Sequence, residues 1–386
     1  MQDFNYHNPT KVYFGKTALD NLVHELETQD VSNVLFVYGG GSIKANGVYD
    51  TVINALKQCR INIVEHAGVK GNPSLNHARK GVAKAKENNV DLIIAAGGGS
   101  VMDEAKAVAA GALVPFDVWD FYCKKETVAE SISLFAIPTL PATSSEMNGI
   151  SVLCNDETNE KFNIIAQGIL NPVAAFLDPQ TTYTLSLQQT AYACTDIISH
   201  LTESYFTTSS DELPLQGRII EGLVKTVMDA MDVIMVKPDD YDARASFMWT
   251  ATLAWSGIVQ VGIPDWGMPC HSLEMSMSGY HDTAHGAGLS VLTPSWMKHA
   301  GTIHLTRILT FGRNILGINT ENIDDVIEGL KKFYRSIGAP TTFLEAGIEN
   351  PEIEIMTDLA DKVFKSRGIP GYSRDEIRRI YKNCCE

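Results

Sequence analysis

Along the first half of the chain, short apolar runs rich in β-branched residues alternate with stretches of helical spacing. The runs are Val34-Leu35-Phe36-Val37-Tyr38, Ile61-Asn62-Ile63-Val64, Leu92-Ile93-Ile94-Ala95-Ala96 and Leu134-Phe135-Ala136-Ile137, punctuated by glycine or proline. Between them, Tyr49 to Lys57 and Leu75 to Asn88 carry apolar residues at helical intervals. Strand, helix, strand at this interval predicts βαβ units and a parallel sheet with helices on both faces. The near-continuous apolarity of the runs fits strands buried on both faces. A last strand is expected over Ala174 to Leu177. From Ser186 onward the pattern is helix-periodic, with breakers at Pro214, Lys237-Pro238, Gly262 to Pro264 and Pro294. The expected fold class is therefore α/β plus all-α: an α/β domain over residues 1–182 and an all-helical domain over residues 183–386, meeting near Asp178-Pro179.

Composition narrows the function. The 386 residues carry 46 acidic and 31 basic side chains, a formal charge of −15. Nucleic-acid binders need clustered Lys and Arg against phosphate, and anionic membranes attract basic patches, so neither partner is expected. Hydrophobic residues at 45% and charged residues at 20% suit a soluble globular protein. No apolar run reaches the ~18 residues of a membrane span. The start, MQDFNYHNPTKVYFG, lacks the basic and apolar regions of a signal peptide. Seven cysteines without a close framework read as reduced thiols. A cytoplasmic protein is expected.

Two strands end alike, in Gly39-Gly40-Gly41-Ser42 and Gly97-Gly98-Gly99-Ser100. Glycine-rich strand ends that feed a helix let backbone N–H groups approach a phosphate, and the helix N-terminus adds partial positive charge. Neither loop is a GxGxxG fingerprint, and tight turns explain many such loops. Two in equivalent places of one sheet favour a dinucleotide across the strand ends. Asp103, in the first turn after Ser100, serves either the helix dipole or a polar cofactor contact. A third loop, Pro138 to Glu146, offers hydroxyls that fit a cofactor or a helix cap. Lys161 falls in an expected hairpin strand, where a lysine is ordinarily a solvated surface charge.

Asp196 and His200 stand at i and i+4 on one expected helix, Gln188 to Tyr205, and so share a face. Their neighbours there are apolar or small, which makes a charged Asp costly unless it is paired or metal-bound. His271, His281 and His285 follow within 15 residues. One Asp and three His without a CxxC pair suit a divalent transition metal. The bland alternatives are a helix-surface hydrogen bond for Asp196 and His200, and a helix C-cap for His285-Gly286.

With these residues in view, the chain resembles the iron-dependent alcohol dehydrogenases, within them the NADPH-dependent butanol dehydrogenase branch. The resemblance runs from Phe4-Asn5, Pro9-Thr10 and Phe14-Gly15 through both GGGS loops, Val101-Met102-Asp103 and Thr139-Leu140-Pro141-Ala142-Thr143. It continues through Leu177-Asp178-Pro179 and Asp196 to His200, and ends at His271 to His285-Gly286. It implies an N-terminal dinucleotide-binding domain of residues 1–182, a C-terminal helical metal-binding domain of residues 183–386, a cleft between them and a homodimer. It also implies that Asp196, His200, His271 and His285 ligate one divalent ion, Fe2+ or Zn2+. Gly97, Gly98, Gly99 and Ser100 would bind the pyrophosphate, with Asp103, Thr139, Thr143, Lys161 and Thr182 further along the cofactor. Gly39, Gly40 and Ser42 of the first loop and Leu140 and Ser145 of the third complete that set.

Two departures from the family pattern carry information. NAD-preferring relatives place an aspartate just after the second strand, where this chain has Gly39; without that carboxylate a 2′-phosphate is not repelled, so NADP(H) is expected. Met275 stands where many relatives carry another histidine, which leaves His281 and Asp103 as the polar residues expected at the catalytic step. The expected reaction is hydride transfer between NADP(H) and a short- to medium-chain aliphatic aldehyde or primary alcohol such as butanol, with residues from Trp255 to Cys270 as an apolar wall. A glycerol- or propanediol-type dehydrogenase and a non-catalytic nucleotide binder are the alternatives. The sugar-phosphate chemistry of dehydroquinate synthases, which share the fold, would need a basic cluster, and Met268 to Gly288 contains no Lys or Arg.

Overall fold

The computed structural model describes residues 1–210, 212–369 and 372–386. The strands among them are β1 (Lys11–Phe14), β2 (Asn33–Tyr38), β3 (Asn62–Ala67), β4 (Leu92–Gly97), β5 (Ser133–Pro138), β6 (Ile150–Cys154), β7 (Lys161–Ile165) and β8 (Ala174–Leu177). Six form one sheet in the order β1-β8-β5-β4-β2-β3, every pair parallel. The other two, β6 and β7, make an antiparallel hairpin that carries Lys161. Helices α1 (Val48–Gln58), α2 (Leu75–Glu87) and α3 (Gly99–Gly111) form the crossovers around β2, β3, β4 and β5.

Alternation along the strands assigns the two faces. Val34, Phe36 and Tyr38 of β2 join Val52 and Leu56 of α1 in one core, while Leu35 and Val37 join Val101, Ala105 and Val108 of α3 in another. Both faces are therefore sealed, as the unbroken apolar runs require. The chain steps from β2 outward to β3, then back to β4 on the other side of β2. That reversal opens a crevice at the carboxyl ends of β2 and β4, the usual ligand position in such sheets. Register puts Tyr38 beside Ala96 and Gly97 beside Pro138, so all three loops picked out from the sequence leave the same sheet edge.

Beyond Leu177 no described residue is in a strand, as the helical pattern predicted. The helices that bear on the site are α4 (Leu187–Thr207), α5 (Gln216–Val236), α6 (Tyr241–Ala254), α7 (Pro269–His281), α8 (His285–Ala300) and α9 (Ile353–Arg367). A capping box starts α4: the Ser186 hydroxyl accepts from the Gln189 N–H, and the Gln189 side chain accepts from the Ser186 N–H. One expected breaker fails. Pro294 lies inside α8, buried on a helix that is walled by protein along most of its length, so packing overrides the lost backbone donor. His285-Gly286 is likewise the start of α8 rather than a helix end. A Cβ on Gly286 would sit 1.9 Å from the Tyr192 carbonyl oxygen, so glycine permits α8 to approach α4 this closely. No helix among the described residues is long and apolar enough to cross a membrane.

Candidate active site

Three helices bring four donors together. Asp196 and His200 project from α4, His271 from α7 and His285 from the first position of α8. Around Asp196 Oδ1 stand His200 Nδ1 at 3.3 Å, His271 Nε2 at 3.4 Å and His285 Nε2 at 3.6 Å. A tetrahedral ion with ligands ~2.0–2.1 Å away has donor–donor edges of roughly 3.4 Å, so these separations match a shared ion. Asp196 Oδ1, His200 Nδ1 and His271 Nε2 are also buried without any hydrogen-bond partner. Orphaned buried polar atoms are costly unless something unites them, and the residues present fit a divalent metal.

Two glutamates missed in the sequence orient the histidines. Glu203, on α4, accepts from His271 Nδ1 and from the backbone N–H of Cys270 at 2.7 Å. Glu274, on α7, accepts from His285 Nδ1. Each carboxylate fixes the Nε2 of its histidine as the free lone pair facing Asp196. The spacing was available: Glu203 follows His200 by three residues and Glu274 follows His271 by three. It pointed equally well to surface ion pairs.

Charge in this cluster is finely divided. Burial opposes ionisation of Asp196, yet His200, His285 and His271 together hold its carboxyl well below the usual range. Burial pushes His200 down to about 3 against the pull of Asp196. Burial also works against the His271 cation, but Glu203 and Asp196 outweigh it and push His271 up to about 9.

The cluster forms one wall of a cleft of about 630 Å³ whose opposite wall is the sheet edge. Gly39, Gly40, Ser42, Gly97, Gly98, Gly99, Ser100, Asp103, Thr139, Leu140, Thr143, Ser145 and Lys161 all line it, as do the four donors. A Cβ on Gly99 would collide with Thr143 at 2.4 Å, which is how two of the loops pack so tightly. Asp103 is held at the floor by Ser145 Oγ at 2.7 Å and the Val152 N–H at 3.2 Å. Burial pushes its pKa up to about 6, with Lys106 and Ser145 pulling the other way. Lys106 sits behind it, donating to Ser145, Ile150 and twice to Asn148. Lys161 is no surface charge: its ammonium donates to Ser278 Oγ at 2.7 Å and Asn72 at 3.1 Å and lies 3.5 Å from Glu274.

Two expected residues do not reach the cleft. Thr182 is fully buried, its hydroxyl closing a 3-10 turn on the Pro179 carbonyl; Thr184 and Leu185 line the cleft instead. His281 ends α7 and its Nε2 bonds the Pro351 carbonyl at 3.0 Å. It lines an adjoining hollow, with residues 346–350, which shares Tyr192, Asp282 and Ala284 with the cleft but not His271 or His285. The left-handed Asp282 that follows it turns the chain back before His285, so nearness in sequence did not mean nearness to the donors.

The remaining wall is mostly apolar, with Arg367 among its lining residues. The Trp255 ring stacks on His200 with centroids 5.6 Å apart, Trp266 packs edge-on against Trp255, and Met268 and Met275 line the space beside His271. A polar sheet-edge crevice, a buried donor cluster and an apolar pocket thus share one cleft, an arrangement with room for a nucleotide, an ion and a small apolar molecule side by side.

The sequence matches the iron-containing alcohol dehydrogenase family over residues 9–179 and the C-terminal part of that family over residues 190–385. The chain belongs to this family. It is 38% identical to NADH-dependent butanol dehydrogenase A of Clostridium acetobutylicum, over 99% of each chain. It is 31% identical to the NADPH-dependent aldehyde reductase YqhD of Escherichia coli, over 92% of this chain and 91% of the other. Among solved structures, the NADH-dependent butanol dehydrogenase A of Thermotoga maritima superposes with a TM-score of 0.96 at 38% identity, covering 100% of this chain and 99% of that one. The protein is accordingly an iron-family alcohol dehydrogenase with the two-part fold expected from its sequence.

Proposed function

We propose that this protein is a metal-dependent, NADP(H)-linked aldehyde reductase that also oxidises the matching primary alcohols. The observation that carries the reading is the convergence of Asp196, His200, His271 and His285, three of them with orphaned buried atoms, on the cleft that contains both GGGS loops. These four residues would hold the ion, and donors of this hardness suit iron or zinc. When bound, the ion supplies Lewis acidity to the substrate oxygen. Glu203 and Glu274 keep two of the imidazoles aimed, and Trp255, Met268 and Met275 exclude water from the reacting carbon. Gly97 to Ser100 cradle the pyrophosphate at the start of α3. No histidine other than the three proposed ligands lines the cleft among the described residues. That leaves no free histidine there to hand over the proton taken up when an aldehyde becomes an alcohol; Asp103, the other residue expected at that step, lines the cleft floor, held by Ser145 and the Val152 N–H.

The preference for NADP(H) rests on the first loop. Gly39, Gly40, Ser42 and Ile43 line the cleft with Val69 and Lys70, and none of them is acidic. Lys44 lies nearby over the Tyr49 ring. NADH is the second reading, favoured by the names of the relatives at 38% identity. Steady-state reduction of butanal by the metal-loaded enzyme should be faster with NADPH than with NADH. Gly39→Asp, whose Cβ meets the Val69 carbonyl at 3.3 Å and Val101 Cγ2 at 3.9 Å, should move the preference toward NADH; an unchanged ratio refutes this assignment. His271→Ala should remove bound metal and butanal reduction together, and activity retained without metal would overturn the whole reading.

A further inference from the structure

One cation in the cleft has no task in the reduction of an uncharged aldehyde. Arg367 is the last residue of α9, where an arginine ordinarily faces the helix carbonyls or solvent. Instead its guanidinium turns into the cleft beside Met268, His271 and Met275. Its partners are Ser272 Oγ, 3.1 Å from Nη1, and two thioethers, Met275 Sδ at 3.9 Å and Met268 Sδ at 3.7 Å. Thioethers are weak acceptors, and a guanidinium carries five N–H donors. The carboxylate that bears on it electrostatically, Glu203, is already occupied by His271 and the Cys270 N–H. Lys161, the other cation on this side, has its counter-charge in Glu274. Arg367 is thus a half-buried cation with no anion paired to it among the described residues, and it lines the cleft together with Met268 and Met275. Leaving such a group unpaired costs free energy that a bound anion would recover.

Arg367 meets α7 on both sides of His271, at Met268 three residues before it and at Ser272 and Met275 one and four residues after it. An oxyanion on Arg367 and a substrate oxygen at His271 would therefore share one short stretch of the cleft, which only a short carbon chain suits. Met268, Met275 and Trp255 line that interval and suit methylene groups. We propose that Arg367 binds a carboxylate at the far end of the substrate, so that the preferred substrates are short aldehydes bearing a terminal carboxylate, and the corresponding ω-hydroxy acids. This rests on the aldehyde-reductase reading and narrows it.

The test compares 4-oxobutanoate with butanal, which share a four-carbon chain and differ in the carboxylate. The metal-loaded enzyme should show the higher kcat/KM on 4-oxobutanoate. In Arg367→Met the ratio of the two kcat/KM values should fall about 10- to 100-fold, the worth of a charge-assisted hydrogen bond, and the loss should lie mainly in KM. Arg367→Lys should restore part of the ratio. Quenching of tryptophan fluorescence by 4-hydroxybutanoate supplies a readout without turnover: saturable in the parent enzyme, weakened in Arg367→Met and partly recovered in Arg367→Lys. Equal losses on both aldehydes, or a parent enzyme that does not favour 4-oxobutanoate, would overturn the proposal. If neither aldehyde is reduced while 4-hydroxybutanoate still binds through Arg367, the carboxylate site stands and the reductase reading falls. If neither reduction nor Arg367-dependent binding occurs, both fall.

Discussion

A histidine presents one nitrogen to an ion reliably only when something holds the other. In this protein Glu203 and Glu274 do so for His271 and His285, from inside the helical core. Glu203→Ala should therefore weaken metal binding about 10- to 100-fold, the usual cost of losing such a partner, with the four donors still in place. Competition against a chelator of known affinity measures this, and an unchanged affinity would assign Glu203 to packing alone. At this scale the sequence was partly legible. Asp196 and His200 could be recognised because i,i+4 spacing puts them on one otherwise apolar face. Glu203 shares that helix but resembles any helix-surface acid, since only the tertiary fold brings Cys270 and His271 against it. Arg367 was invisible for the same reason. It lies 92 residues beyond Met275, the side chain it touches, and no spacing rule links segments so far apart.

Elements meet where backbone shape allows it, and α4 against α8 is the clearest case. Thr195 donates to the Gly286 carbonyl at 2.6 Å, and the missing side chain of Gly286 admits the Tyr192 carbonyl. Gly286→Ala forces a backbone displacement between two buried helices, at a cost of about 2–3 kcal/mol or more. It should also impair metal binding, because His285 is the preceding residue. Gly222 offers the control: it lies exposed on α5, with nothing within 4 Å of an added Cβ, so Gly222→Ala should stabilise by about 0.5–1 kcal/mol. Urea unfolding of both variants checks the contrast, and equal effects would show that the close approach is unimportant. Sequence pattern revealed β2, β4, β5 and β8 because apolar side chains on both faces leave unbroken runs. It missed β1, an edge strand whose end residues are exposed, and it took Pro294 for a break because burial along α8 leaves no trace in local spacing.

At the scale of the whole molecule, the ion would join helices that the chain visits separately: α4, α7 and α8. Its removal leaves Asp196, His200 and His271 to titrate without a metal beside them, and this makes stability depend on pH. In the metal-free protein the His271 pKa is raised to about 9, against an ordinary value of 6.5, so the folded state binds more protons than the unfolded state between those limits. That contribution is fully present below pH ~6.5 and is lost as pH rises toward 9. His200 acts in the opposite sense. With its pKa depressed to about 3, it withholds a proton that the unfolded chain accepts below pH ~6.5, so stability falls as the solution is acidified. Chelated protein should therefore be most stable near pH 6–7 and weaken on both sides. Metal in place of the protons should flatten the profile and add about 4 kcal/mol when free metal stands at 1,000 times its Kd. Thermal melts of chelated and reloaded protein at pH 5, 6.5 and 9 measure both effects. Parallel profiles would show that the ion and the protons do not compete for the same four side chains.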